Sequence, residues 1–90
     1  MIDNVNEPGL AAPQTDIGGA IRAMRSRRGF SLAELGRRSG YTAAFISMLE
    51  RNLRDPRLST LERIAQGLDV SLLSLMRRAS PRANRRRQGT

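Results

Sequence analysis

The side chains able to do chemistry in this 90-residue chain are almost all arginine. Its 16 basic residues include no lysine, it has 8 acidic residues, and it has neither histidine nor cysteine, so the net charge is +8. The usual general bases, nucleophiles and soft metal ligands are therefore missing. Glu34 and Glu62 each stand three residues after a serine, Ser31 and Ser59, which is the spacing of a helix capping box. No glycine-rich phosphate loop follows a strand pattern. The expectation is no catalytic residue, no metal site and no cofactor. A planar guanidinium is instead suited to bidentate contact with phosphate and with guanine.

The charge is unevenly placed. Residues 1–16 carry −3, residues 17–76 carry +5, and residues 77–90 carry +6. A polyanion is the partner this balance predicts, and nucleic acid fits better than membrane because no strongly amphipathic basic helix is evident. No apolar run approaches the roughly 18 residues of a membrane span, and no basic start leads into an apolar stretch. The absence of cysteine suits a reducing cytosol, so a soluble, unprocessed cytoplasmic protein is expected. One Tyr and two Phe give no stacking platform for RNA.

To position these arginines, the chain needs a small helical domain. Residues 1–15, with Pro8, Gly9 and Pro13, show no apolar period and read as a flexible acidic arm. Thr15 or Asp16 can cap a first helix in which Ile17, Ile21, Met24 and Arg28 recur at helical spacing, stopping at Gly29. Ser31 and Glu34 open a second helix with Leu32 and Leu35 inward, ending before Gly40. Thr42 caps a third, with Ile46 and Leu49 inward, closed by Asn52 in the left-handed conformation. Pro56 makes 53–57 a basic loop. Ser59 and Glu62 predict the start of a fourth helix carrying Leu61, Ile64, Ala65 and Leu68. Ser71 caps a fifth, with Leu72, Leu75 and Met76 toward the core. The reading is an all-α fold of five helices at 16–79, followed by an Arg-rich disordered tail at 80–90. At this length only about 60% of the unfolded surface is buried, so one compact core is the limit.

The stretch Leu32 to Leu49 meets the demands of a helix-turn-helix: Leu35 in the core, Gly36 where two helices touch, Gly40 at the turn, and Ile46 and Leu49 beyond it. Together with Ile17 to Arg28, Gly29-Phe30-Ser31-Leu32-Ala33-Glu34-Leu35, Ile46-Ser47-Met48-Leu49-Glu50-Arg51-Asn52, Pro56 and Leu61-Glu62-Arg63-Ile64-Ala65, it resembles the Cro and phage-repressor type of helix-turn-helix regulators, the XRE family. The likeness covers residues 17–76. It implies a bacterial, nucleoid-associated homodimer that places its third helix, about 43–51, in the major groove of double-stranded DNA and regulates transcription, without catalysis.

The resemblance puts Thr42, Ala43, Ala44, Phe45, Ser47 and Met48 on or beside the DNA-facing surface and makes Arg57 a phosphate contact. It also implies a structural ion pair between Arg25 and Glu50. Gly36 stands where alanine is usual, at a helix-propensity cost of about 1 kcal/mol. The third helix lacks the Gln, Asn or Arg that commonly reads base edges. Three routes to sequence preference stay open: Ala43, Ala44, Phe45 or Met48 packing on thymine methyls, Arg51 or Arg54 reaching a guanine or a narrowed minor groove, and shape readout.

Arg22, Arg37 and Arg38 read either as phosphate clamps or as a solvated face. Arg82, Arg85, Arg86 and Arg87 read as an aid to non-specific DNA affinity, an RNA-binding tail or a solubility tail. Leu73, beside Leu72 and Met76, makes the fifth helix apolar nearly all round, and these three residues are the expected dimer interface. Two functions follow: a repressor at a two-fold operator, or the antitoxin of a toxin pair whose arm or tail engages a protein partner and which also binds DNA.

Overall fold

The computed structural model describes residues 15–79. These form five helices, α1 (Ile17–Arg28), α2 (Leu32–Ser39), α3 (Ala43–Glu50), α4 (Leu58–Leu68) and α5 (Leu72–Ala79), with no strand among the described residues. None of these helices is long and apolar enough to cross a membrane. The proposed arm and tail lie outside the described residues except for Thr15.

Each helix contributes to one core, because its apolar residues recur at three- and four-residue spacing. Ile21 of α1, Leu35 of α2, Ile46 and Leu49 of α3, Ile64 and Leu68 of α4 and Leu75 of α5 are fully buried. Burying each such side chain is worth about 1.5–3 kcal/mol before chain ordering is counted. α2 packs on α3 and α4, while α1 packs on α3 and α5. The Asp16 N–H donates to the Ala79 carbonyl at 3.0 Å, so the two ends of the domain are bonded to each other.

The helix ends are fixed by local chemistry. Asp16, Ser31 and Thr42 cap α1, α2 and α3, accepting the N–H groups of Gly19, Glu34 and Phe45. Ser71 Oγ accepts from Ser74 N–H at 3.0 Å at the start of α5. Gly29 and Gly40 end α1 and α2 with φ of 74° and 87°, where a Cβ would be strained.

Two expectations are corrected. α4 starts at Leu58, not at a Ser59 cap: Arg57 takes the extended cap conformation without a side-chain cap bond, and Ser59 already lies in the helix. The earlier start puts Thr60 and Leu61 in a buried first turn. On α5 the inward stripe is Leu72, Leu75 and Ala79, spaced by three and four residues, so Met76 turns outward and is 38% exposed. Leu73 is 60% exposed.

Candidate nucleic-acid interface

The turn between α2 and α3 depends on a close backbone approach. A Cβ on buried Gly36 would sit 2.5 Å from the Tyr41 carbonyl oxygen, so this turn leaves no room for alanine unless it shifts. The cost of glycine in α2 is therefore offset by contact with the incoming chain. The Gly36 carbonyl accepts both Gly40 N–H and Tyr41 N–H at 2.8 Å, and Thr42 then starts α3.

At its other end α3 is tied to α1. Arg25 Nε and Nη2 donate to Glu50 Oε2 and Oε1 at 2.5 and 3.0 Å, and Arg25 Nη1 donates to the Phe30 carbonyl at 2.9 Å. Their side chains are only 16% and 6% exposed. The hydrogen bond to Glu50 raises the Arg25 pKa above its ordinary value, against the opposing effect of burial. A second tie comes from Asn52, whose φ of 58° closes α3. Its Oδ1 accepts Gly18 N–H at 3.0 Å, and its Nδ2 donates to Asp16 Oδ1 at 2.9 Å. Asp16 is held below the usual carboxylate range, chiefly by this Asn52 bond and next by Gly19 N–H.

With Ile46 and Leu49 buried, the rest of α3 faces outward: Thr42 and Ala44 are exposed, and Ala43, Ser47 and Met48 are half-buried. Phe45 is half-buried, packs against the core and lies 4.8 Å from the Tyr41 ring. The Arg54 guanidinium sits 5.6 Å from the Phe45 ring centre, so this aromatic side chain also supports a cation beside the helix. Arg51 is exposed and its Nε donates to the Ser47 carbonyl at 3.4 Å along its own helix.

Arg54 and Arg57, with the acidic Asp55 between them, join Tyr41, Phe45 and Thr60 around an open cleft of about 330 Å³. It adjoins the first turn of α4, whose leading N–H groups no side chain caps. A helix start of this kind favours an anion.

The structure separates the other arginines. Arg37 and Arg38 both pair with Glu34, the latter at 2.8 Å, and the Arg38 guanidinium lies 4.2 Å over the Phe30 ring. Only one half of the expected capping box forms: Glu34 N–H donates to Ser31 Oγ, while its carboxylate accepts from the two arginines. Arg22 is exposed on α1. Leu72, Leu73 and Met76 lie on α5 rather than on this surface. Among the described residues no group of three or more acids could hold a metal ion.

The sequence reading missed the Asn52 bonds and the part played by Gly18. A glycine two residues after a helix cap is a signal in itself, since it lowers helix stability and asks for a reason. The reason is spatial: a Cβ there would lie 2.4 and 2.6 Å from the Leu49 and Glu50 carbonyl oxygens.

A model of the helix-turn-helix family matches residues 21–75. The HTH-type transcriptional regulator SinR of Bacillus subtilis (strain 168) is 38% identical over 61 residues, covering 67% of this chain and 55% of SinR. The chain thus spans about half the length of that relative. An uncharacterized HTH-type transcriptional regulator, y4dJ, of Sinorhizobium fredii (strain NBRC 101917 / NGR234) is 35% identical over 60 residues, covering 67% of this chain and 78% of y4dJ. A crystal structure of SinR, the master regulator for biofilm formation, in complex with DNA superposes with a TM-score of 0.61 at 38% identity, covering 66% of this chain and 95% of that one.

Proposed function

This chain belongs to the helix-turn-helix family, and on that premise we propose that it is a sequence-specific DNA-binding transcriptional regulator, acting as a repressor on a two-fold operator as a homodimer. The observation that carries the reading is α3: a short helix fixed at both ends, with its small outward residues bordered by Arg51, Arg54 and Arg57. The crystal structure of the related SinR in complex with DNA supports DNA binding by this chain, and the width of a major groove suits a helix of this kind.

In this reading, Ala43, Ala44 and Met48 contact thymine methyl groups, and Thr42 and Ser47 supply short polar contacts. Phe45 acts mainly by holding Arg54, since its ring already packs on Tyr41 and the core. A backbone phosphate beside Arg57 would supply the cap that α4 lacks. The exposed Leu73 and Met76, with half-buried Leu72, form an apolar strip on α5 suited to a second copy.

Arg57→Ala is expected to weaken binding to all DNA sequences alike and to lower the slope of log affinity against log salt by about one unit. Titrating operator and scrambled duplexes over a salt series checks this. A changed sequence preference with an unchanged slope would overturn the phosphate assignment.

A further inference from the structure

We propose that Asn52, acting through Asp16 and Gly18, is a positioning residue that sets the pose of α3 for sequence-specific DNA contact. The inference rests on the DNA-binding reading of α3 given above.

The end of α3 is built as a reversed turn: Asn52 N–H donates to the Leu49 carbonyl at 3.0 Å, and Leu53 N–H to the Met48 carbonyl at 2.9 Å. Asn52 holds the left-handed φ this turn requires. Glycine adopts that conformation at less cost, so the turn alone does not call for asparagine. What asparagine adds is a carboxamide that reaches back across 34 and 36 residues of sequence to α1. There its Oδ1 takes the otherwise unpaired N–H of Gly18, while its Nδ2 meets the same Asp16 Oδ1 that caps Gly19 N–H at 2.9 Å. The α3 carbonyls thereby rest on the N-terminal turn of α1, where Gly18 has no Cβ to block them.

This latch governs angle more than folding. With it open, α3 remains anchored by buried Ile46 and Leu49 and by Glu50 on Arg25, but the helix as a whole can rock about those contacts once the Asn52 tie to α1 is lost. The Asp16 bond is exposed to solvent, where such bonds contribute little to stability, and loss of the part-buried Gly18 bond in Asn52→Gly is offset by the lower cost of the left-handed φ for glycine. The outward residues of α3 are Ala43, Ala44, Ser47 and Met48. Alanine and serine cannot extend to recover a displaced base edge as a long arginine can, so the helix backbone itself must be held at the right depth and angle.

The test uses the full chain, a duplex selected by the wild-type protein from a random pool, and a scrambled duplex of the same length. Asn52→Gly keeps the permitted φ and removes the carboxamide. Its affinity for the selected duplex should fall about tenfold, the scale of one base contact, with scrambled-duplex affinity and melting temperature nearly unchanged. Asn52→Asp should also lower the ratio of selected to scrambled affinity by setting two carboxylates together. The double variant Asp16→Asn with Asn52→Asp, which restores one amide facing one carboxylate, should recover most of that ratio. An unchanged ratio in Asn52→Gly, or no recovery in the double variant, overturns the proposal. Wild-type protein that does not distinguish the duplexes overturns the DNA-binding premise and the latch with it.

Discussion

Replacing Glu50 by alanine is expected to lower the free energy of unfolding by about 2–3 kcal/mol, below the cost of breaking a fully buried ion pair because Arg25 keeps some solvent access. Arg25 would lose two hydrogen bonds and keep only the Phe30 carbonyl, in a place where its side chain has limited access to water. Domains of this size have total stabilities of roughly 5–15 kcal/mol, so a sizeable part of the margin would go. The loss should not be read as the net value of the pair. Replacing both partners, with Arg25→Met and Glu50→Leu together, should cost far less than Glu50→Ala alone, because no unpaired charge remains. Urea unfolding of the three proteins measures this. A cost under about 1 kcal/mol for Glu50→Ala, the range of surface pairs, would contradict the tether.

Gly18→Ala is expected to destabilise the fold although alanine is the better helix former by about 1 kcal/mol. The new methyl would meet backbone oxygens of Leu49 and Glu50, which cannot swing aside as a side chain would. Either α1 and α3 part, or the end of α3 shifts. Forced overpacking of this kind costs about 1–3 kcal/mol, so we expect the clash to exceed the propensity gain and the melting temperature to fall. Any folded fraction should bind a selected operator more weakly than wild type, because the displaced element is the one proposed to enter the groove. A higher melting temperature would show that the two helices separate easily and that their approach is not fixed here.

The five helices were legible because their signals are local. Apolar spacing marked Ile21, Leu35, Ile46, Leu49, Ile64, Leu68 and Leu75; Ser31, Thr42, Ser71, Gly29 and Gly40 marked ends, and of the two candidate caps Thr15 and Asp16 it is Asp16 that starts α1. The same kind of signal misled at Ser59, where a capping-box spacing occurs inside a helix that starts at Leu58 and buries Thr60 and Leu61 in its first turn. Met76 was misplaced for a related reason, since Leu72 and Leu75 are inward at a spacing that equally admits Ala79. The bonds of Asn52 and the crowding at Gly18 join residues more than thirty positions apart and leave no periodic trace. The outward set on α3 comes from the family resemblance rather than from spacing, and the inward placement of Ile46 and Leu49 agrees with it. Packing explains why Phe45 belongs only partly to that set, because its ring is shared among Tyr41, Arg54 and the core.

The most direct measurement of the central claim is selection of bound sequences from a random pool of double-stranded DNA by the full chain. A two-fold regulator with one α3 in each half-site predicts a palindromic consensus with half-sites centred about one helical turn, roughly 34 Å, apart. Recovery of all sequences alike would contradict it.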